Sequence, residues 1–195
     1  MSHKEKNLAD LPASDQHLRE TCLSSEDAYQ GKFLRLKKDI VSLPDGQETY
    51  REYLIHPGAV AILPVLDDGR ILLERQFRYP VDQAMLEIPA GKLEAGEDPL
   101  VCAKRELLEE TGYTAGAWEF LGRIHPVISY STEFIDIYLA KNLTAGERCL
   151  DQGEFLDVFA ATLDEMHEWI ASGKITDVKT IISVYHLERK MRSGT

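Results

Sequence analysis

Arg105 is followed at once by Glu106 and then by Glu109 and Glu110, so three carboxylates crowd one short stretch of chain. Asp98 is a good N-cap, Pro99 suits a first helical position and Gly112 supplies a left-handed stop; the spacing predicts a helix over about 99–111. On that helix Glu106 and Glu110 share a face, and Glu109 lies three residues from Glu106. For stability alone the arrangement is poor. Like charges at this spacing repel and all three sit at the negative end of the helix dipole, each misplacement costing about 0.3–1 kcal/mol. A hard divalent cation reverses the sign of these terms. Carboxylate oxygens suit Mg2+ or Mn2+, while the sequence gathers no His/Cys cluster of the kind zinc takes. Glu97 and Arg105, eight residues apart, are placed to face one another across loop and helix. An ion pair there would hold the loop, and Glu97 is equally suited to a place behind the metal ligands. Arg105 is open to a structural or a catalytic role.

A second group of residues could recognise a substrate. Arg78 offers a bidentate fork for phosphate, and Tyr79 or Phe77 an aromatic surface for a base. A divalent cation held by such carboxylates can withdraw charge from a phosphate and lower the pKa of a bound water.

Gly91, five residues, Glu97, seven residues, then Arg105-Glu106-Leu107-Leu108-Glu109-Glu110-Thr111-Gly112-Tyr113 resembles, position for position, the signature of the Nudix hydrolases. The resemblance covers 23 of 195 residues and is highly specific. It implies an α/β fold, a Nudix α/β/α sandwich with a mixed sheet, and hydrolysis of a nucleoside diphosphate linked to another moiety. It also implies a backbone carbonyl metal ligand just before the first motif glycine, here Ala90, beside Glu106, Glu109 and Glu110. The stretches Arg75-Gln76-Phe77-Arg78-Tyr79-Pro80 and Leu86-Glu87-Ile88-Pro89-Ala90-Gly91 are similar to those of ADP-ribose and nucleoside-diphosphate-sugar pyrophosphatases, in which Glu87 would be a substrate-side glutamate. In such enzymes a glutamate in the loop before the last strand acts as base. The best match is Glu154, with Asp151 and Glu147 in reserve. Ser131-Thr132-Glu133 keeps the tail of a downstream substrate motif, but its Pro-Gly pair is missing, which leaves the terminal sugar open. ADP-ribose is the expected substrate, split to AMP and ribose 5-phosphate. A nucleoside-diphosphate-hexose pyrophosphatase and a non-catalytic nucleotide-sensing module are the alternatives, the latter disfavoured because a pure binder has no need of three crowded glutamates.

These residues need elements to carry them. Residues 1–16 are polar and aperiodic and read as a loose tail. Strands are expected at 18–24, 32–42 and 48–55, forming a small antiparallel N-terminal sheet (17–55) that is too thin to bury Phe33, Leu34, Leu36, Ile40, Tyr50 and Tyr53 alone. Packing against a second copy is the simplest remedy, so a homodimer is expected, as in the ADP-ribose-cleaving relatives, with Arg51, Phe33 or Tyr53 reaching the partner's nucleotide. In the main domain (56–195) strands are expected at 59–66, 71–77, 84–88, 118–125, 134–140 and 156–161, the first two joined as a hairpin through Asp67-Asp68-Gly69. Helices are expected at 163–172 and 178–191. A net charge of −11 argues against a nucleic-acid surface. Cys22, Cys102 and Cys149 are widely spaced, no run of apolar residues is long enough to span a membrane, and the N-terminus has no apolar signal core, so a cytoplasmic protein is expected.

Overall fold

The computed structural model describes Leu8 and residues 11–150 and 153–193. The chain divides into two compact units, one running up to Ile55 and including Ser129–Ser131, the other formed by the rest. Most of the expected N-terminal tail lies outside the described residues.

In the first unit, β1 (Thr21–Gln30), β2 (Arg35–Ser42) and β3 (Glu48–Ile55) form an antiparallel sheet in that order. The edges differ from expectation. Ser14 caps a 3-10 turn at Asp15–Leu18, which delays β1, and a turn closed by Gly31 N–H on Leu34 carbonyl takes Phe33 and Leu34 out of β2. Ser131 and Tyr130 join this unit by pairing with Leu54. Every residue of β1 is exposed, as are Leu23, Tyr29, Phe33, Leu34 and Tyr50.

The second unit is built on two sheets. One runs β10 (Leu156–Ala161), β5 (Ile71–Arg78), β6 (Gln83–Glu87), all antiparallel. The other runs β7 (Ala90–Lys92), β4 (Ala59–Pro64), β9 (Ile135–Ala145), β8 (Tyr113–Ile124), with β4 and β9 parallel. The expected hairpin at 59–77 is therefore only a turn. Gly69 N–H closes it on Leu66 carbonyl, but β4 and β5 touch through the single bridge Val65 to Ile71 and then enter different sheets, because each already has neighbours on both edges. The strands β8 and β9 are longer than their apolar alternation predicts, since their ladder continues through small and polar residues past Trp118 and Ala140.

All six residues of β4 are buried. Val60 and Ile62 pack with Cys102, Ala103 and Leu107 of the acidic segment, while Ala61 and Leu63 pack with Met166, Val184 and Leu187. Those last residues belong to α2 (Leu163–Ala171) and α3 (Val178–Ser193). Helices thus cover both faces, the sandwich expected, and each fully buried Leu or Ile contributes about 1.5–3 kcal/mol. The remaining helix, α1 (Pro99–Glu106), is shorter than predicted. From Leu107 to Thr111 the backbone widens into a π-turn, where the Thr111 hydroxyl donates to the Leu107 carbonyl at 2.5 Å and Gly112 turns left-handed at φ 77°.

Gly58, at φ 100°, opens the way into β4, and a methyl group there would sit 2.3 Å from the Phe134 ring. Gly58→Ala combines backbone strain with overpacking, so urea titration should show a loss of about 2–3 kcal/mol. A loss below about 0.5 kcal/mol would mean that Phe134 yields freely.

Candidate active site

Between β6 and β7 the chain leaves one sheet and enters the other. Glu87 still pairs with Glu74 of β5, whereas Ala90 pairs with Ala61 of β4. The crossover has no ladder of its own, and its backbone groups are satisfied one by one. Ile88 N–H donates to the Thr180 hydroxyl at 2.9 Å, the Pro89 carbonyl accepts from Ile62 N–H at 2.8 Å, and Ala90 N–H donates to Glu110 Oε2 at 3.0 Å. Pro89 needs no donor partner. The Glu110 carboxylate and the Ala90 backbone are therefore in direct contact.

The acidic segment is fixed by its own ends. Asp98 accepts from Leu100 N–H at 3.0 Å and Val101 N–H at 3.1 Å, starting α1 at Pro99. Arg105 then gathers three carboxylates. Its guanidinium donates to Glu97 at 3.0 and 3.1 Å, to Glu106 at 2.8 Å and to Glu109 at 3.0 Å. The Arg105 hydrogen bonds and a backbone N–H at Glu94 hold the Glu97 carboxyl down at about 2. Gly91 allows the Glu106 side chain to lie against the crossover, for a Cβ at this position would fall 1.8 Å from the Glu106 carboxylate.

Beyond the reach of Arg105 the charges are less well matched. Glu110 is 4% exposed and Glu74 is 3% exposed. Burial raises the Glu110 carboxyl far above the usual range, reinforced by Glu74, Glu106 and Glu154. Burial likewise raises Glu74, followed by the charge of Glu87. Glu106 is also raised, by burial first. Among the described residues no donor reaches Glu74 Oε1, and Glu110 lies within its hydrogen-bonding reach. Two carboxylates so placed require a proton or a cation between or beside them. The donor set is all hard oxygen, which fits Mg2+ or Mn2+. Among the described residues no three acidic, His or Cys side chains already converge in coordination geometry. Arg105 accounts for part of this by drawing Glu106 and Glu109 onto a single nitrogen.

The other candidate residues each have surroundings of their own. The charge of Glu154 adds to the raising of both the Glu106 and the Glu110 carboxyls, after burial and nearer groups. Its loop is fastened to the end of the acidic segment: Gly146 N–H donates to the Gly112 carbonyl at 2.7 Å and Cys149 N–H to that of Glu109 at 3.2 Å. Glu147 is exposed and Asp151 lies outside the described residues. Arg78 and Glu87 form a bidentate pair at 2.7 and 2.9 Å, so the glutamate is committed to a protein cation. The Arg78 side chain remains 44% exposed. Tyr79 stands almost fully in solvent on a 3-10 turn, and Glu133 lies 3.9 Å from His56. Arg51, in the first unit, donates to Glu20 at 2.9 Å.

Sequence reasoning missed Glu74 and the turn that starts α3. Glu74 had a signal, since it is the lone acid continuing the apolar run Ile71-Leu72-Leu73. Lys179 had none. It is buried, pairs with Glu87 and lies 3.1 Å from Asp177, a partnership across 92 residues for the first of these contacts.

The raised carboxyls make stability depend on pH in a definite sense. Without metal the native protein keeps protons on Glu74 and Glu110 that the unfolded chain releases above its ordinary carboxylate range. Stability is complete below that range and is lost as pH rises towards the raised values, so the melting temperature in EDTA should fall between about pH 5 and 9. Saturating Mg2+ should flatten the fall. Identical declines with Mg2+ and with EDTA would show that Glu110 is not a metal ligand.

A NUDIX domain model matches residues 55–188, and a model of the nucleoside diphosphate sugar hydrolase N-terminal domain matches residues 20–54. The chain is 41% identical to a methanol dehydrogenase activator of Bacillus methanolicus, over 87% of this chain and 92% of that protein. It is 39% identical to an ADP-ribose pyrophosphatase of Bacillus subtilis, over 89% of this chain and 95% of the relative. A crystal structure of an ADP compounds hydrolase superposes with a TM-score of 0.82 at 22% identity, covering 91% of this chain and 97% of that one. With the acidic segment, the crossover and the sandwich all in place, the chain belongs to the Nudix family.

Proposed function

We propose that this protein hydrolyses the pyrophosphate bond of ADP-ribose, giving AMP and ribose 5-phosphate, with Mg2+ or Mn2+ as cofactor. The observation that carries this reading is the gathering of carboxyl groups at the crossover: buried Glu110 on the Ala90 N–H, half-buried Glu106 against Gly91, and buried Glu74 beside Glu110, a concentration that a substrate-binding protein without metal has no use for. Glu106, Glu109, Glu110 and the Ala90 carbonyl are the ligands, with Glu97 behind them through Arg105. Bound there, the cation supplies charge neutralisation and Lewis acidity at the phosphate oxygens.

The chain's own residues do the rest. Arg105 fixes the directions of Glu106 and Glu109, so that few rotamers need be lost on loading. Glu154 takes the proton from the attacking water. Arg78 keeps an exposed edge beyond its pair with Glu87, and that edge meets a substrate phosphate, with Tyr79 beside it for the base. Glu133 lies on the chain segment expected to meet the terminal sugar. A second reading, hydrolysis of a nucleoside-diphosphate hexose, is favoured by the match of residues 20–54 to the sugar-hydrolase N-terminal domain. A panel of ADP-ribose and nucleotide hexoses with Mg2+, with products separated by chromatography, distinguishes the two.

Two substitutions separate ligand from base. Glu110→Gln should lower turnover by roughly 10²-fold or more and weaken metal binding, with metal-free stability level or slightly raised. Glu154→Gln should lower the rate by about 10²–10⁴-fold while leaving metal affinity nearly intact. Near-normal turnover of Glu110→Gln at saturating Mg2+ would remove it from the ligand set, and an unaltered rate for Glu154→Gln would move the base to another residue.

The N-terminal unit supports a homodimer. A three-stranded sheet that leaves β1 and the side chains of Leu23, Tyr29, Phe33, Leu34 and Tyr50 exposed is marginal on its own, and a second copy is the default partner of a soluble chain. In the dimer Arg51, Phe33 or Tyr53 would reach the neighbour's nucleotide. Light scattering should give twice the chain mass at micromolar protein. A monomeric mass with full activity would exclude both the dimer and the shared site.

A further inference from the structure

We infer that the turn opening α3, made of Asp177, Lys179 and Thr180, is a positioning device for the crossover that carries Ala90, and that it tunes the affinity of the metal site. The inference rests on the metal-dependent reading above.

Thr180 is fully buried, 92 residues from Ile88 in sequence. Within a helix a threonine returns its hydroxyl to a carbonyl of the preceding turn, but Thr180 stands in the first turn of α3, where no helical turn precedes it. Thr180 instead donates to Asp177 Oδ2 at 2.6 Å, and its backbone N–H donates to the same oxygen at 3.0 Å. A hydroxyl has a single proton, so its donation to Asp177 leaves only lone pairs for Ile88 N–H, which it accepts at 2.9 Å. The direction of each bond is therefore fixed, from Ile88 to Thr180 to Asp177. Lys179 holds the preceding residue: it pairs with Glu87, and with Asp177 at 3.1 Å. The last residue of β6 and the first of the crossover are thus both anchored on α3.

This differs from ordinary core packing in two respects. A buried lysine, two carboxylates and a hydroxyl are costly to desolvate, and an apolar helix turn would fill the same space with less penalty. The crossover also has just two backbone donors, and side chains hold both: Thr180 takes that of Ile88, and Glu110 takes that of Ala90. Glu110 has another duty in the proposed reaction. Any demand a cation makes on Glu110 falls on a backbone whose other donor is already held by Thr180. Removing the Thr180 hydroxyl should then loosen Ala90 and Glu110 together.

The test measures Mn2+ binding to the full-length protein by calorimetry and by electron paramagnetic resonance, without substrate. Thr180→Val, which keeps the shape and removes the hydroxyl, should weaken Mn2+ about tenfold, the size expected for a partner of a metal ligand. Thr180→Ser, which restores the hydroxyl, should return affinity to near the unaltered value. If Thr180→Val melts earlier yet binds Mn2+ normally, Thr180 is merely structural and the inference is overturned. Should Thr180→Val fail to fold, Asp177→Asn keeps the shape while weakening the acceptor of the Thr180 hydroxyl and the ion pair with Lys179, both parts of the same turn; a loss approaching tenfold supports the inference and unchanged binding overturns it. Glu110→Gln is measured in parallel. Weakened binding there with none in the Thr180 variants defeats this inference alone, whereas unaltered binding in Glu110→Gln defeats the metal reading and this inference with it.

Discussion

Glu110 faces Glu74 and Glu106 with little access to water, and a fold that keeps carboxylates together in this way has to restrain everything around them. A buried charge lacking a partner destabilises by several kcal/mol, and a chain free to move would swing these side chains into solvent. The second unit prevents that from both sides. Leu107 and Cys102 pin the acidic segment onto Val60 and Ile62 of a strand with no exposed residue. The π-turn that follows turns Glu110 inward while Glu109 stays partly exposed, and Gly112 ends it where the Glu154 loop can dock. The charge cluster is stable because the apolar layers on each face of β4 are.

The position of the cluster follows from topology. Two sheets meet where the chain passes from Glu87 to Ala90, and a passage between sheets has backbone groups that no ladder can satisfy. Side chains must take them, and a carboxylate already held nearby is a strong acceptor. Pro89 reduces the number of donors needing partners, and Gly91 lets the Glu106 carboxylate reach the backbone. A switch between sheets is thus also the point at which side-chain oxygens and main-chain groups are brought within a few ångströms of one another. That is the raw material of a metal site.

Much of this was legible in the sequence, and the exceptions share a cause. Asp98, Pro99 and Gly112 mark the acidic segment through local backbone chemistry, and the spacing of Glu97 to Arg105 puts the pair within reach, as their 3.0 Å contact bears out. The α/β sandwich follows from apolar runs such as 59–64. What stayed hidden depends on contacts distant in sequence. The 59–77 turn looks like a hairpin because its local signals are those of one, and only the neighbours β7, β9, β6 and β10 separate its arms. The π-turn, in which the Thr111 hydroxyl takes the Leu107 carbonyl, has no signal in composition. Lys179 in Val178-Lys179-Thr180-Ile181 reads as a solvated helix residue until Glu87 is brought beneath it. Glu87, for its part, looks available for substrate until Arg78 and Lys179 claim it.

Arg105 and the expected metal divide the same electrostatic problem. The guanidinium satisfies Glu97, Glu106 and Glu109, the carboxylates nearest its own turn, with donors fixed in a plane. It makes no contact with Glu110, whose hydrogen bond runs instead to Ala90. A second arginine there would have to be buried and would leave the charge permanently cancelled. A cation taken from solution could meet the carboxylates and a substrate phosphate together, which a guanidinium already paired with Glu110 could not do. On the proposed reading the sequence keeps one positive charge covalently attached, beside the carboxylates, and would take the other from solution. The unpartnered oxygen of Glu74 marks where the fixed charge stops compensating.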